Sequence, residues 1–167
     1  EETGMTGALG LQGGLLDADI LLNLDTEDDD ELTIGCAGGI DVTIGGNYKT
    51  EKVNPDSMGF RITIKGLTGG HSGMDIYKGR GNANKLIARI LLIAADKFEP
   101  RIKTIDGGGL RNAIPREAFA EVAIHTGESE DFTALISQEA ELIKKEYQST
   151  DPNLSISIET IVTPETV

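Results

Sequence analysis

A chain of 167 residues with 38% hydrophobic and 26% charged residues can bury a core, and suits one domain or one plus a piece of another. Its formal charge of −13 argues against nucleic-acid and anionic-membrane partners, both of which are held by cationic side chains. Aromatic residues make up only 4%, so Leu, Ile, Val and Ala must supply the core, and the single cysteine, Cys36, excludes an internal disulfide and fits a reducing, cytoplasmic compartment.

The chain opens without methionine or a signal peptide, on Glu1-Glu2-Thr3-Gly4-Met5-Thr6-Gly7-Ala8, which reads as the middle of a longer protein. Met5 to Gln12 suits a short helix closed by Gly13-Gly14. Asp19 to Asp25 is a compact apolar run ending in an acid, the pattern of a strand buried on both faces. The acidic run Glu27 to Glu31 reads as a solvated loop. Leu32 to Ala37 follows as a second short strand, with Cys36 a small buried hydrophobe, and Gly38-Gly39 reads as a domain boundary.

From Ile40 the texture changes. Ile40-Asp41-Val42-Thr43-Ile44 and Phe60 to Lys65 alternate with period two, as antiparallel strands with one wet face do. After a Gly/His stretch, Asn82 or Asn84 caps a helix that runs to about Phe98 and ends before Pro100. Its apolar stripe is Leu86, Ile87, Ile90, Leu91, Ile93 and Ala94. Arg101 to Ile105 reads as a strand, Gly107 to Gly109 as a break, and Ala118 to His125 as another strand. Glu128 to about Gln148 is an amphipathic helix with Phe132, Leu135, Ile136, Ala140, Leu142, Ile143 and Tyr147 facing inward. Leu154 to Ile158 is a final strand. From Phe60 the order is βαββαβ, a ferredoxin-like α+β arrangement with two helices packed on one antiparallel sheet.

Four places carry candidate chemistry. Glu1-Glu2 is a carboxylate pair that could divide metal binding and proton transfer, though adjacent acids are also common on surfaces. Asp25 ends a buried strand, where α/β sheets place functional groups; a turn or cap residue is the plainer alternative. His71 sits among glycines in Gly69-Gly70-His71-Ser72-Gly73, where glycine marks special backbone angles or close approach, or simply a long idle loop. Neither a phosphate loop nor a dinucleotide fingerprint fits that stretch. Asn112, in Arg111-Asn112-Ala113-Ile114-Pro115-Arg116, is either a turn former before proline or an amide offered to a substrate oxygen.

Taken in order, Glu1 to Ala8, Leu22-Asn23-Leu24-Asp25-Thr26-Glu27, Gly35 to Gly39, Gly69 to Gly73, Gly79 to Leu86 and Leu110 to Ala118 resemble the aminoacyl-histidine (Xaa-His) dipeptidases of the di-zinc exopeptidase superfamily. The resemblance is strong to about Phe119 and weaker beyond. It implies that Glu1 is the general base, Glu2 a ligand of one zinc and Asp25 a terminal ligand of the other. It implies that His71, on a lid domain, reaches the partner's active site in a homodimer and stabilises the oxyanion. Asn112 would contact the dipeptide substrate. His125 matches nothing in the family and reads as a structural or surface residue.

The family's His-x-Asp motif, bridging aspartate, last histidine ligand and substrate-binding arginine are not in these residues, so two zinc sites cannot be completed here. Residues 1–38 are then expected to be a piece of the α/β catalytic domain and residues 39–167 the first part of the lid, or dimerisation, domain, inactive by themselves. A related metallo-aminopeptidase, or a ferredoxin-like dimerisation or ligand-binding module without chemistry, is the alternative.

Overall fold

The computed structural model describes residues 6–20, 22, 30–32, 34–35, 38, 40 and 42–167. The chain divides into two compact units, 1–48 and 49–167.

In the first unit one turn of helix, α1 (Thr6–Leu9), stands where a helix from Met5 to Gln12 was expected. The expected strands do not form among the described residues. Ile20, Leu22, Leu32 and Ile34 are exposed, as are Ile40, Val42 and Ile44 further on. A strand buried on both faces needs ladder partners and covering helices, and an alternating strand needs a neighbour. The described residues of this unit supply neither. Asp25 and Cys36 lie outside the described residues.

The second unit carries a sheet of β1 (Ser57–Lys65), β3 (Arg101–Gly107), β5 (Ala118–His125) and β6 (Ser155–Ile161), with α2 (Ala83–Ala95) and α3 (Ser129–Glu146). The sheet order β3-β5-β1-β6, every pair antiparallel, is the ferredoxin-like one. Period-two alternation puts Phe60, Ile62 and Ile64 of β1 on the same face as Ala118, Ala120, Val122 and Ile124 of β5, all buried in one core. Both helices press their apolar stripes onto that face. On the other face Arg61 lies 4.2 Å over the Phe119 ring and pairs with Glu121.

In α2 the Asn82 side chain accepts from the Lys85 N–H, which settles the cap in favour of Asn82. The helix ends at Ala95, before Pro100 can act, and Phe98 turns back to set its ring edge-on against Phe132. Phe132, fully buried, also meets Phe60 at 5.4 Å. α3 starts on Glu130 and Asp131 and finishes on Lys144 and Lys145, charges that complement the helix dipole. Leu142, expected inside, is 47% exposed because it falls on the flank of the Phe132–Ile136–Ala140–Ile143 stripe.

The register of β3 slips between Ile102 and Thr104. Ile102 and Ile105 therefore stand opposite Val122 and Ala120, on the same side of the sheet. At the foot of the unit, Glu51 and Val167 exchange backbone hydrogen bonds of 2.8 and 2.9 Å, and Val53 donates to Glu165. Residues 51–53 and 165–167 thus run side by side as a short antiparallel stem.

Candidate functional site

Between β1 and α2 the chain makes a long excursion that carries His71. A pair of two-residue strands, β2 (Gly70–His71) and β4 (Ala113–Ile114), holds it, with His71 opposite Ala113. The Ser72 N–H donates to the Asn112 carbonyl at 2.8 Å. The two candidates from the lid segment, His71 and Asn112, are therefore brought together from 41 positions apart in sequence. This small sheet is too short to leave a periodic signature, and the sequence alone gave no sign of it.

The His71 side chain is exposed, and its ring orientation is fixed by its own backbone. Nδ1 accepts from the N–H groups of Gly73 and Met74 at 3.1 and 3.2 Å. With Nδ1 an acceptor, the proton of the neutral imidazole sits on Nε2. Nε2–H is then a donor on an exposed ring that two backbone hydrogen bonds hold in place.

Asp75 braces the loop from inside. Its Oδ2 accepts from the His71 N–H at 2.8 Å, its Oδ1 pairs with Lys78 at 2.5 Å, and Arg80 lies 3.6 Å away. The Lys78 ammonium, followed by the His71 N–H, holds the Asp75 carboxyl below its ordinary pKa. Arg80 also donates to the Gly69 carbonyl. Gly70, at φ +142°, lets the backbone pass this cluster: a Cβ there would lie 2.5 Å from both Arg80 Nη1 and Asp75 Oδ2.

Asp151 supports the same loop from outside, and no local pattern in the sequence singles it out. Its carboxylate is 1% exposed and accepts from the N–H groups of Thr68 and Gly81, each at 2.8 Å, and from the Thr150 hydroxyl at 3.0 Å. Burial pushes the carboxyl up, but the Gly81 and Thr68 N–H groups outweigh it and hold the pKa below the ordinary value.

His125 stands at the far end of the sheet, where β1 begins, and its Nδ1 accepts from Gly127 N–H in the turn before α3. That is a structural task. Glu1, Glu2 and Asp25 lie outside the described residues. Among the described residues no group of three or more His, Cys, Asp and Glu side chains is placed to hold a metal.

Comparison with known proteins agrees with this geometry. The Peptidase dimerisation domain family matches residues 58–151, the stretch from β1 to the Asp151 turn. The chain is 44% identical over 161 residues to the cytosol non-specific dipeptidase of Escherichia coli (strain K12), covering 96% of this chain and 33% of that protein. The crystal structure of aminoacylhistidine dipeptidase from Vibrio alginolyticus superposes with a TM-score of 0.77 at 41% identity, over 99% of this chain and 34% of that one. AtUAH in complex with glyoxylate, at 14% identity and a TM-score of 0.52 over 66% of this chain and 28% of its own, shares the fold alone. The chain thus spans about a third of the length of the dipeptidases it matches. The matched stretch runs from β1 through α3 and leaves β6 outside it, and the chain belongs to the Peptidase dimerisation domain family.

Proposed function

We propose that this chain is part of a metal-dependent dipeptidase, with residues 39–167 contributing the first portion of its lid and residues 1–38 a piece of its catalytic domain. The observation that carries the reading is the 44% identity to a dipeptidase over nearly the whole chain. The lid belongs to a homodimer, and its His71 works in the partner's active site. Exposed Met74, Ile76, Tyr77 and Leu110 near His71 support this, because such side chains are normally covered by another surface. Edge strand β3, with half-exposed Ile102 and Ile105, and the α2 helix packed against it, with exposed Leu92, support a lid-to-lid seam there. The site of action is the cytoplasm, as the E. coli relative's name indicates for that protein.

In the reaction, Glu1 takes a proton from the attacking water. His71 Nε2–H donates to the scissile carbonyl oxygen as it gains negative charge, and a ring already locked by Gly73 and Met74 needs little reorganisation to do so. Asn112 binds a polar group of the substrate. Zinc, or another divalent ion, two per active site, would be held in part by Glu2 and Asp25 and supplies Lewis-acid polarisation of water and carbonyl. Two carboxylates do not close such a site, so the 167 residues alone are expected to be inactive.

The substrate class is dipeptides, with carboxy-terminal histidine preferred. Initial rates of the full-length protein on matched Xaa-His and Xaa-non-His dipeptides test this. Cleavage of both sets with higher kcat/KM for Xaa-His supports the reading, equal values remove the preference, and no cleavage of either overturns the activity.

A further inference from the structure

We propose that Asp151 is a positioning residue for His71, acting through the backbone at both ends of the loop that carries it. Thr68 and Gly81 bracket the segment 69–80, and the two oxygens of one buried carboxylate take one N–H from each, at 2.8 Å. Asp151 is 83 residues from Thr68 and 70 from Gly81 in sequence, so neither contact is a local turn. The anchor itself is firm: the Asp151 N–H donates to the Tyr147 carbonyl at the end of α3, and its carbonyl accepts from Leu154 just before β6. The Thr68 hydroxyl donates to the Thr150 carbonyl at 2.9 Å, a second tie between the same two segments.

The chemistry requires a carboxylate. Two N–H donors converge on one side chain, so both its oxygens must accept. An asparagine offers one acceptor and points its NH2 at a backbone N–H, leaving a buried donor unpaired. With the carboxyl held below its ordinary pKa, both oxygens accept throughout the neutral range. Beyond these ties Asp75 and Arg80 brace the loop locally. Asp151 fixes where the braced loop stands relative to the core; it does not touch the imidazole.

This rests on the catalytic reading of His71, and the test separates the two. In the full-length dipeptidase, D151N, H71A and the double variant are compared by kcat and KM on one dipeptide. D151N is expected to lower kcat about 10- to 100-fold, the range for a sub-ångström to 1 Å misplacement, with KM nearly unchanged. It should have no further effect once His71 is gone. Equal losses from D151N with and without His71, or no loss at all, overturn the positioning role while leaving His71 catalytic. An H71A variant with full kcat instead removes the catalytic reading and this inference with it.

Amide exchange in the full-length protein reads the same idea without activity. D151N should speed exchange at Gly73 and Met74 about tenfold or more while β1 and β5 amides hold their protection. Unchanged Gly73 and Met74 rates overturn the proposal. Should D151N fail to fold, T150V removes the third bond to the same carboxylate, together with the hydroxyl's longer 3.5 Å contact to the Tyr147 carbonyl; faster exchange at Gly73 and Met74 supports the proposal and unchanged exchange overturns it.

Discussion

The N–H of Ser72 donates to the carbonyl of Asn112 at 2.8 Å, tying the histidine loop to the turn before β4 through main chain alone. The Asn112 side chain is not needed for that bond. Replacing it therefore keeps that tie and tests its role toward substrate. In N112A the Ser72 N–H bond to the residue 112 carbonyl is retained. The substitution should weaken kcat/KM about tenfold, the worth of one polar contact, as steady-state kinetics on the full-length enzyme would read. Unchanged kcat/KM would leave Asn112 a turn former only.

The His71 ring should act on the transition state more than on the bound substrate. H71A is expected to lower kcat about 10²- to 10³-fold, the usual loss for one oxyanion donor, with little change in KM. Comparable loss is expected from G70A, which leaves the imidazole intact but places a Cβ against Arg80 and Asp75 at a φ that side chains avoid. If G70A keeps full kcat, the close packing around Gly70 is not what orients the loop.

Acid should loosen the loop anchor in a defined direction. The Asp151 carboxyl has a folded pKa below the ordinary value near 3.8. The stability it contributes is complete above that ordinary value and is lost as the pH falls through the lower, folded one. Urea midpoints of the wild type and D151N should differ by a constant amount from neutral pH down to about pH 5, and converge only below about pH 4. Convergence already near neutral pH would mean that the carboxyl titrates higher than its hydrogen bonds imply.

The core gives a stability test that does not involve the loop. Phe132 is fully buried between Phe60 and Phe98, so F132A should cost about 3–5 kcal/mol in urea unfolding. At the sheet edge, I105K replaces a half-exposed apolar side chain with a charge and should favour monomer in sedimentation of the full-length protein, with the fold intact. An unchanged dimer would move the seam away from β3.

The legible part of the fold is the part written in local periodicity. Phe60, Ile62 and Ile64 alternate because one face of β1 is buried, and Leu86, Ile87, Ile90 and Leu91 repeat helically because α2 lies on that face. The same rule misled at Ile40, Val42 and Ile44, whose alternation fits a strand but which stand exposed without a strand partner. Periodicity names the face a strand would bury, never the neighbour that buries it. Of the site, His71 stood out because glycines on both sides are costly unless the backbone needs them. Asp151 did not, since its meaning lies in donors 70 and 83 residues away. The β2–β4 pair escaped for the same reason: two residues per strand carry no period.

The stem that pairs residues 51–53 with residues 165–167 makes the stretch between them a loop closed by its own main chain. The entropic cost of closing it grows only slowly with the length enclosed. Turns inside the βαββαβ body, the histidine loop among them, can therefore lengthen while the stem stays paired.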